Sequence, residues 1–131
     1  MLDASSRKAL LDTDFRIHPD SNRVGIRLDG RLLSLAEPLE LVSEPVAMGT
    51  VQLPPGGQPI VLMAEHPSTG GYPRIGQVAA IDLAHLAQRR PGETLRFSEI
   101  GLDEAQSRYL ERERQLALLE DVIAHRLATN E

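Results

Sequence analysis

Between residues 15 and 97, the sequence repeatedly interrupts short apolar runs with glycine, proline, asparagine or aspartate. In the clearest run, Val24, Ile26 and Leu28 alternate with other residues. This period of two predicts a strand with one buried face. Several short strands separated by such turns favour a β-barrel or a β-sandwich. No other feature of the sequence restricts the fold as strongly.

The same reasoning predicts the other strands. Asp29-Gly30 is typical of a two-residue hairpin turn, so residues 31–35 are expected to return beside the strand that ends at Leu28. The remaining predicted strands cover 15–18, 46–53, 58–64, 73–80 and 94–97. Because only 3% of the residues are aromatic, the core that these strands enclose must be mainly aliphatic.

The 131 residues predict a single domain that is mainly β with some α. Its β core should span 14–100, preceded by a loose polar arm over 1–13. Asp82 can cap a short helix over 83–88. From 103 to 129 there is no glycine or proline, and apolar residues recur at helical spacing, which predicts a long amphipathic C-terminal helix. Its apolar stripe packs either on its own domain, which we favour, or on another subunit.

Composition and charge narrow the function. The net charge of −5 disfavours nucleic acid or an anionic membrane surface as a partner, since both attract excess lysine and arginine. The absence of cysteine excludes disulfides, thiolate nucleophiles and cysteine-ligated zinc. The four histidines show no metal-ligand spacing, and no apolar run approaches the roughly 20 residues of a membrane span. We therefore expect a cytoplasmic protein without a metal.

A candidate binding loop covers residues 65–76, directly after a predicted strand. It combines the adjacent glycines Gly70 and Gly71 with hydroxyl groups, a tyrosine and an arginine. Such a loop either binds a ligand or only makes a tight turn, and both interpretations stay open on local chemistry. Ser68 follows His66 by two residues, but no third group that would orient a catalytic base is identifiable. No catalytic residue is therefore assigned.

Residues 21–30 read Ser-Asn-Arg-Val-Gly-Ile-Arg-Leu-Asp-Gly and resemble the Ser-x-Arg-Met-Gly-x-Arg-Leu-x-Gly signature of a known family. This is the allophanate hydrolase subunit 2 family, whose other names are KipA, the C subunit of 5-oxoprolinase and biotin-dependent carboxyltransferase. The segments 43–46, 49–60, 66–75 and 87–92 resemble its next blocks in order and spacing. Val24, Glu65 and Ser68 stand where the family usually has Met, Asp and Thr.

The resemblance implies a cyclophilin-like β-barrel. It also implies part of an enzyme subunit, a hydrolase or carboxyltransferase, that acts on a small amide or ureide with a KipI-like companion subunit. The substrate could be 5-oxoproline, urea or allophanate. ATP or carboxybiotin would be used by the complete enzyme, with no cofactor bound by this chain. The alternatives are a non-catalytic interaction module of the KipA type and a truncated remnant.

The resemblance covers only the C-terminal half of the family's subunit, so the N-terminal half is expected to be missing. Surface that this half would cover should then promote self-association. In the enzyme hypothesis, backbone N–H groups of the glycines approach a substrate oxygen, hydroxyl groups orient the substrate, and an arginine pairs with a carboxylate. The predicted substrate-binding residues are Arg23, Gln58, Ser68, Thr69, Gly70, Gly71, Tyr72 and Arg74.

Overall fold

A computed structural model of the protein describes residues 2–37, 43–101, 103–104, 106–108 and 110–111. In chain order the elements are α1 (Ala4–Asp12), β1 (Phe15–Ile17), β2 (Gly25–Asp29), β3 (Glu44–Pro45), β4 (Thr50–Gln52), β5 (Ile60–Leu62), β6 (Thr69–Gly70), β7 (Arg74–Gln77), α2 (Ala80–Ala87) and β8 (Thr94–Leu95). Contacts divide the chain into two units, Met1–Glu99 and Ile100–Glu131.

The first unit is a mixed α/β structure built on an antiparallel sheet. Six strands are hydrogen-bonded in the order β7-β4-β5-β2-β1-β8, and β3 pairs with β6 as a separate two-stranded ladder. Each predicted strand apart from the expected return strand contains an observed strand, but the observed strands are shorter. Neither β3 nor β6 was predicted, because a two-residue ladder has no sequence periodicity to detect.

The described strands do not close into a barrel, so the prediction of a closed β-barrel is wrong for this part of the chain. Closure requires the two edge strands of a sheet to pair. Here the edge strands are β7 and β8, and no pairing between them occurs among the described residues. The β8 strand has only two residues and pairs with β1, while β7 ends at Gln77, just before α2 begins.

The core of the first unit is mainly aliphatic, as predicted. In β1 and β2, buried residues alternate with exposed arginines, which confirms the predicted period of two. Phe15 is fully buried and meets the edge of the Phe97 ring with the ring centroids 5.8 Å apart. Each fully buried side chain of this size stabilises the fold by about 1.5–3 kcal/mol. The buried cluster consists of Phe15, Ile17, Ile26, Leu28, Val51, Val61 and Met63.

The expected hairpin at Asp29-Gly30 does not form. Both edges of β2 are already occupied, by β1 on one side and β5 on the other, so no edge is left for a return strand. Residues 31–34 instead cross to the turn between β4 and β5, where the Leu33 N–H donates to the Gly57 carbonyl at 2.9 Å. Local turn chemistry therefore yielded to the pairing of strands that are distant in sequence.

The N-terminal segment is a helix, so the prediction of a loose arm over 1–13 is wrong. Asp3 caps α1, because its Oδ1 atom accepts a hydrogen bond from the Ser6 backbone N–H at 2.7 Å. The Ser34 hydroxyl also donates to the Asp3 carboxylate and, with the Ser6 N–H, holds the pKa of Asp3 below its ordinary value. Ala9 is buried in a second apolar cluster with Leu33 and Leu53.

The short helix is confirmed, with a different start. It begins at Ala80 rather than residue 83, and its cap position is Ala79, which has no side-chain cap. Asp82 lies in the first turn, where its charge interacts favourably with the helix dipole.

In the second unit, the described residues between 103 and 111 are helical. Glu104 and Arg108 form an ion pair of 2.7 Å one helical turn apart. The predicted helix continues to residue 129, but the residues from 112 onwards lie outside the part that the structure describes.

Candidate functional site

The candidate binding loop is more ordered than a tight turn. Its residues Thr69 and Gly70 form β6, which pairs antiparallel with Pro45 and Glu44 of β3. The Val46 N–H extends this ladder by donating to the Ser68 carbonyl at 3.3 Å. The loop is thus held to a segment that precedes it by more than twenty residues in the sequence.

A β-bulge determines which way the following strand faces. Gln52 of β4 is in register with Arg74 of β7, and Val51 is in register with Gly76, so one residue, Ile75, is extra in β7. Because side chains alternate along a strand and register partners share a face, the extra residue turns Arg74 to the face of Gln52. Ile75 packs against the apolar core.

Gln52 lies under the loop, although its role was not expected from the sequence. Its side chain is only 5% exposed. A Cβ atom on Gly70 would overlap Gln52 Nε2, so glycine is required for this close approach. The available signal was a polar residue between the apolar residues Val51 and Leu53, a pattern that also describes an ordinary half-buried strand.

Arg74 has a partner that the sequence pattern did not reveal. Its guanidinium lies 3.2 Å from Glu44 Oε2, and both side chains are about half exposed. An arginine at such a position can bind a carboxylate with two parallel hydrogen bonds. A substrate carboxylate would have to share the guanidinium with Glu44 or replace it.

The remaining polar side chains of the loop are free to bind a ligand. Ser68, Thr69 and Tyr72 are exposed, and their hydroxyl groups make no hydrogen bond within the described part of the chain. Tyr72 retains 44% of its exposed surface. No atom lies within 4 Å of where a Cβ on Gly71 would be, so its backbone is open to approach.

Two predicted site residues lie elsewhere. Arg23 is 3.6 Å from Glu65 and borders a cavity of about 270 Å³ whose floor includes Met48 and Met63. None of residues 68–74 lines this cavity. Gln58 is exposed before β5, and its side chain makes no hydrogen bond to the described residues. The geometry therefore brings together Gly70 and Arg74, with Thr69, Gly71 and Tyr72 beside them in the chain.

Metal-binding clusters and membrane spans can be assessed only for the described residues. Among them, no three histidine, aspartate or glutamate side chains lie close enough together to hold a metal ion. None of the helices in this part of the chain combines the length and the apolar character needed to cross a membrane.

Comparison with known proteins identifies relatives. The C subunit of the 5-oxoprolinase of Haemophilus influenzae is 46% identical over 92 residues, which are 70% of this chain and 30% of that protein. The C subunit of the Escherichia coli 5-oxoprolinase is 40% identical over 115 residues, 83% of this chain and 37% of that protein. The chain thus spans about a third of the length of the curated relatives it matches.

A solved structure supports the fold. The urea amidolyase of Kluyveromyces lactis superposes with a TM-score of 0.74 at 23% identity, covering 80% of this chain and 7% of that one. The profile of the family described as carboxyltransferase domain, subdomain A and B, matches residues 1–99, which include the whole sheet and the candidate loop. The chain therefore belongs to the carboxyltransferase domain family, in the region described as subdomains A and B.

Proposed function

We propose that this chain is part of an enzyme subunit that processes a small amide or ureide. The observation that carries the proposal is the convergence of Gly70, Arg74 and the enclosed carboxamide of Gln52 on one side of β4. This arrangement offers donors, an acceptor and a positive charge within one small area. The names of the relatives, which are C subunits of 5-oxoprolinases, support an amide substrate.

Each loop residue has a role in this proposal. The Gly71 N–H donates to a substrate carbonyl oxygen, since no side chain blocks its approach. Arg74 pairs with a substrate carboxylate. The hydroxyl groups of Ser68, Thr69 and Tyr72 orient the bound molecule. Arg23 and Gln58 belong to the proposal through the family resemblance.

The complete activity requires more polypeptide than this chain. The matched segment is about a third of the curated relatives, so we propose that the site is completed by the rest of such a subunit and by a KipI-like companion in the cytoplasm. ATP or carboxybiotin, where the complete enzyme uses them, is proposed to bind outside this chain. The substrates to be tested are 5-oxoproline, urea and allophanate.

Reconstitution tests the proposal. This segment is expressed within a full-length subunit, which is mixed with the KipI-like companion and assayed for turnover of each substrate. Arg74→Ala and Tyr72→Phe should lower turnover, because each removes a group that holds the substrate. Unchanged turnover in both variants, or no turnover of any substrate by the wild-type complex, would refute the proposed role.

A second candidate is a non-catalytic interaction module of the KipA type. The exposed apolar side chains of Val24 and Leu32 favour it, since such surface is often covered by a protein partner. Stable capture of a KipI-like protein that is independent of substrate, together with an inactive wild-type complex, would support this function. Light scattering of the chain tests the expected self-association, which a monodisperse monomer would contradict.

A further inference from the structure

The carboxamide of Gln52 is enclosed but makes no hydrogen bond within the described part of the chain. Its neighbour on the same face of β4 behaves differently. Thr50 Oγ1 donates to Gln77 Oε1 at 3.1 Å, and Gln77 Nε2 donates to the Met48 carbonyl at 3.0 Å. A polar group that is removed from water without a partner is costly, so the unpaired amide calls for a ligand.

The unpaired carboxamide can be reached from outside. No fully buried side-chain nitrogen or oxygen among the described residues lacks a hydrogen-bond partner. The Gln52 amide has no partner in the described part of the chain, so it must retain a small contact with solvent. The opening lies beside Gly70, where the missing Cβ leaves room over Gln52 Nε2.

We propose that Gln52 recognises the edge of a lactam or urea that carries an N–H and a C=O on the same side. The inference rests on the proposed function, for which it specifies the class of amide. A primary carboxamide has one N–H donor and one carbonyl acceptor side by side, so it can form two reciprocal hydrogen bonds with such an edge.

This pairing discriminates between amides by geometry. A lactam ring forces its amide into the cis arrangement, which places N–H and C=O on one edge, and urea presents the same pair. An open-chain secondary amide is trans and presents the two groups on opposite edges, so it can make only one of the two hydrogen bonds. Gln52 thereby favours lactams and ureas over peptide bonds.

Arg74 extends the recognition to charge. It is in register with Gln52 across β4 and β7, on the same face. A ligand whose lactam edge meets Gln52 can direct a carboxylate towards the guanidinium, in competition with Glu44. Lactams that carry a carboxylate should therefore bind more tightly than neutral lactams of the same ring size.

The first test uses the unchanged chain and two small probes. We titrate 2-pyrrolidinone and N-methyl-2-pyrrolidinone, which lacks the N–H, into isotopically labelled protein and follow the amide signals by NMR. The neutral lactam should shift the side-chain signals of Gln52 and the backbone signal of Gly70. The N-methyl compound should bind about tenfold more weakly, because one of two hydrogen bonds is lost. Equal affinity, or no binding of 2-pyrrolidinone, overturns the inference.

The second test uses matched variants. Gln52→Met keeps the side-chain length but removes both hydrogen bonds, so it should bind the two probes equally. Gln77→Met changes the same residue type on the same face and should retain the preference for 2-pyrrolidinone. If Gln52→Met does not fold, the comparison of probes on the unchanged chain still decides.

The outcomes separate this inference from the proposed function. Preferential lactam binding without turnover by the reconstituted enzyme would refute the proposed function and leave the recognition by Gln52 standing. Turnover by the wild-type enzyme, combined with equal binding of both probes, would refute the inference alone.

Discussion

The side-chain amide of Gln52 packs against Gly70 so closely that a Cβ at position 70 would overlap Nε2. The two residues lie in β4 and β6, which are not strand neighbours in either sheet. Their contact fixes where the candidate loop passes over the main sheet. Val46 encloses Gly70 from another side, since its Cγ1 atom would lie 3.3 Å from the added Cβ.

Gly70→Ala should therefore destabilise the protein by about 1 kcal/mol, the lower end of the cost of overpacking, because the Gln52 amide must move within an enclosed site. Gly71→Ala is the matched control. Nothing lies within 4 Å of its Cβ position and its φ is not positive, so its effect should stay within about 0.5 kcal/mol. Urea denaturation measures both. Equal stability of the two variants would show that the contact does not constrain the loop.

Gly57→Ala should be more harmful, by about 2 kcal/mol, because Gly57 has φ +84 and its Cβ would lie 2.9 Å from the Leu33 carbonyl oxygen. The neighbouring Gly56→Ala has open space and no positive φ, so it should change the unfolding free energy by less than about 0.5 kcal/mol. The same denaturation experiment compares them. A cost for Gly57→Ala no larger than that for Gly56→Ala would contradict this account of the crossing at residues 31–34.

Local patterns predicted the strands of the sheet but not its closure. The alternation of Ile26 and Leu28 correctly identified β2 and its buried face. The turn signal at Asp29-Gly30 was misleading, because the pairing of β2 with β1 and β5 depends on residues far apart in sequence. Local propensity could not reveal that both edges of β2 were already occupied.

The site was predictable in composition but not in geometry. The glycines, hydroxyl groups and arginine of the loop stand out in the sequence, whereas Gln52 and Glu44 do not. Strict alternation from Gln77 would have placed Arg74 on the opposite face of β7. Only the bulge at Ile75 turns it towards Gln52, and a single extra residue in one strand leaves no periodic signal.

The cap of α1 predicts a dependence of stability on acid pH. Hydrogen bonds from Ser34 and Ser6 lower the pKa of Asp3 in the folded state, so the folded protein binds fewer protons than the unfolded chain. The stabilisation is present above the ordinary aspartate pKa of about 4 and is lost as pH falls through the lower folded-state pKa. Asp3→Asn should flatten the slope of unfolding free energy against pH in this window. An unchanged slope in denaturation curves would show that the cap does not contribute.

Arg74 and Glu44 offer a separation of stability from function. An exposed ion pair contributes about 0–1 kcal/mol, so Arg74→Ala should barely change the unfolding free energy. In the reconstituted enzyme, the same variant should raise the KM for a carboxylate-bearing substrate about tenfold or more, because a charge-assisted hydrogen bond to the substrate is lost. Urea has no carboxylate, so turnover of urea should be much less affected.

Arg7→Ala is the matched control for this experiment. Arg7 forms an ion pair of 3.0 Å with Glu99, and both side chains are exposed, as in the Arg74 pair. It lies outside the candidate site, so its loss should leave the KM for every substrate unchanged. Glu44→Gln frees the Arg74 guanidinium from its competitor and should lower the KM for the carboxylate-bearing substrate. If Arg74→Ala and Arg7→Ala have the same kinetics, Arg74 does not bind the substrate.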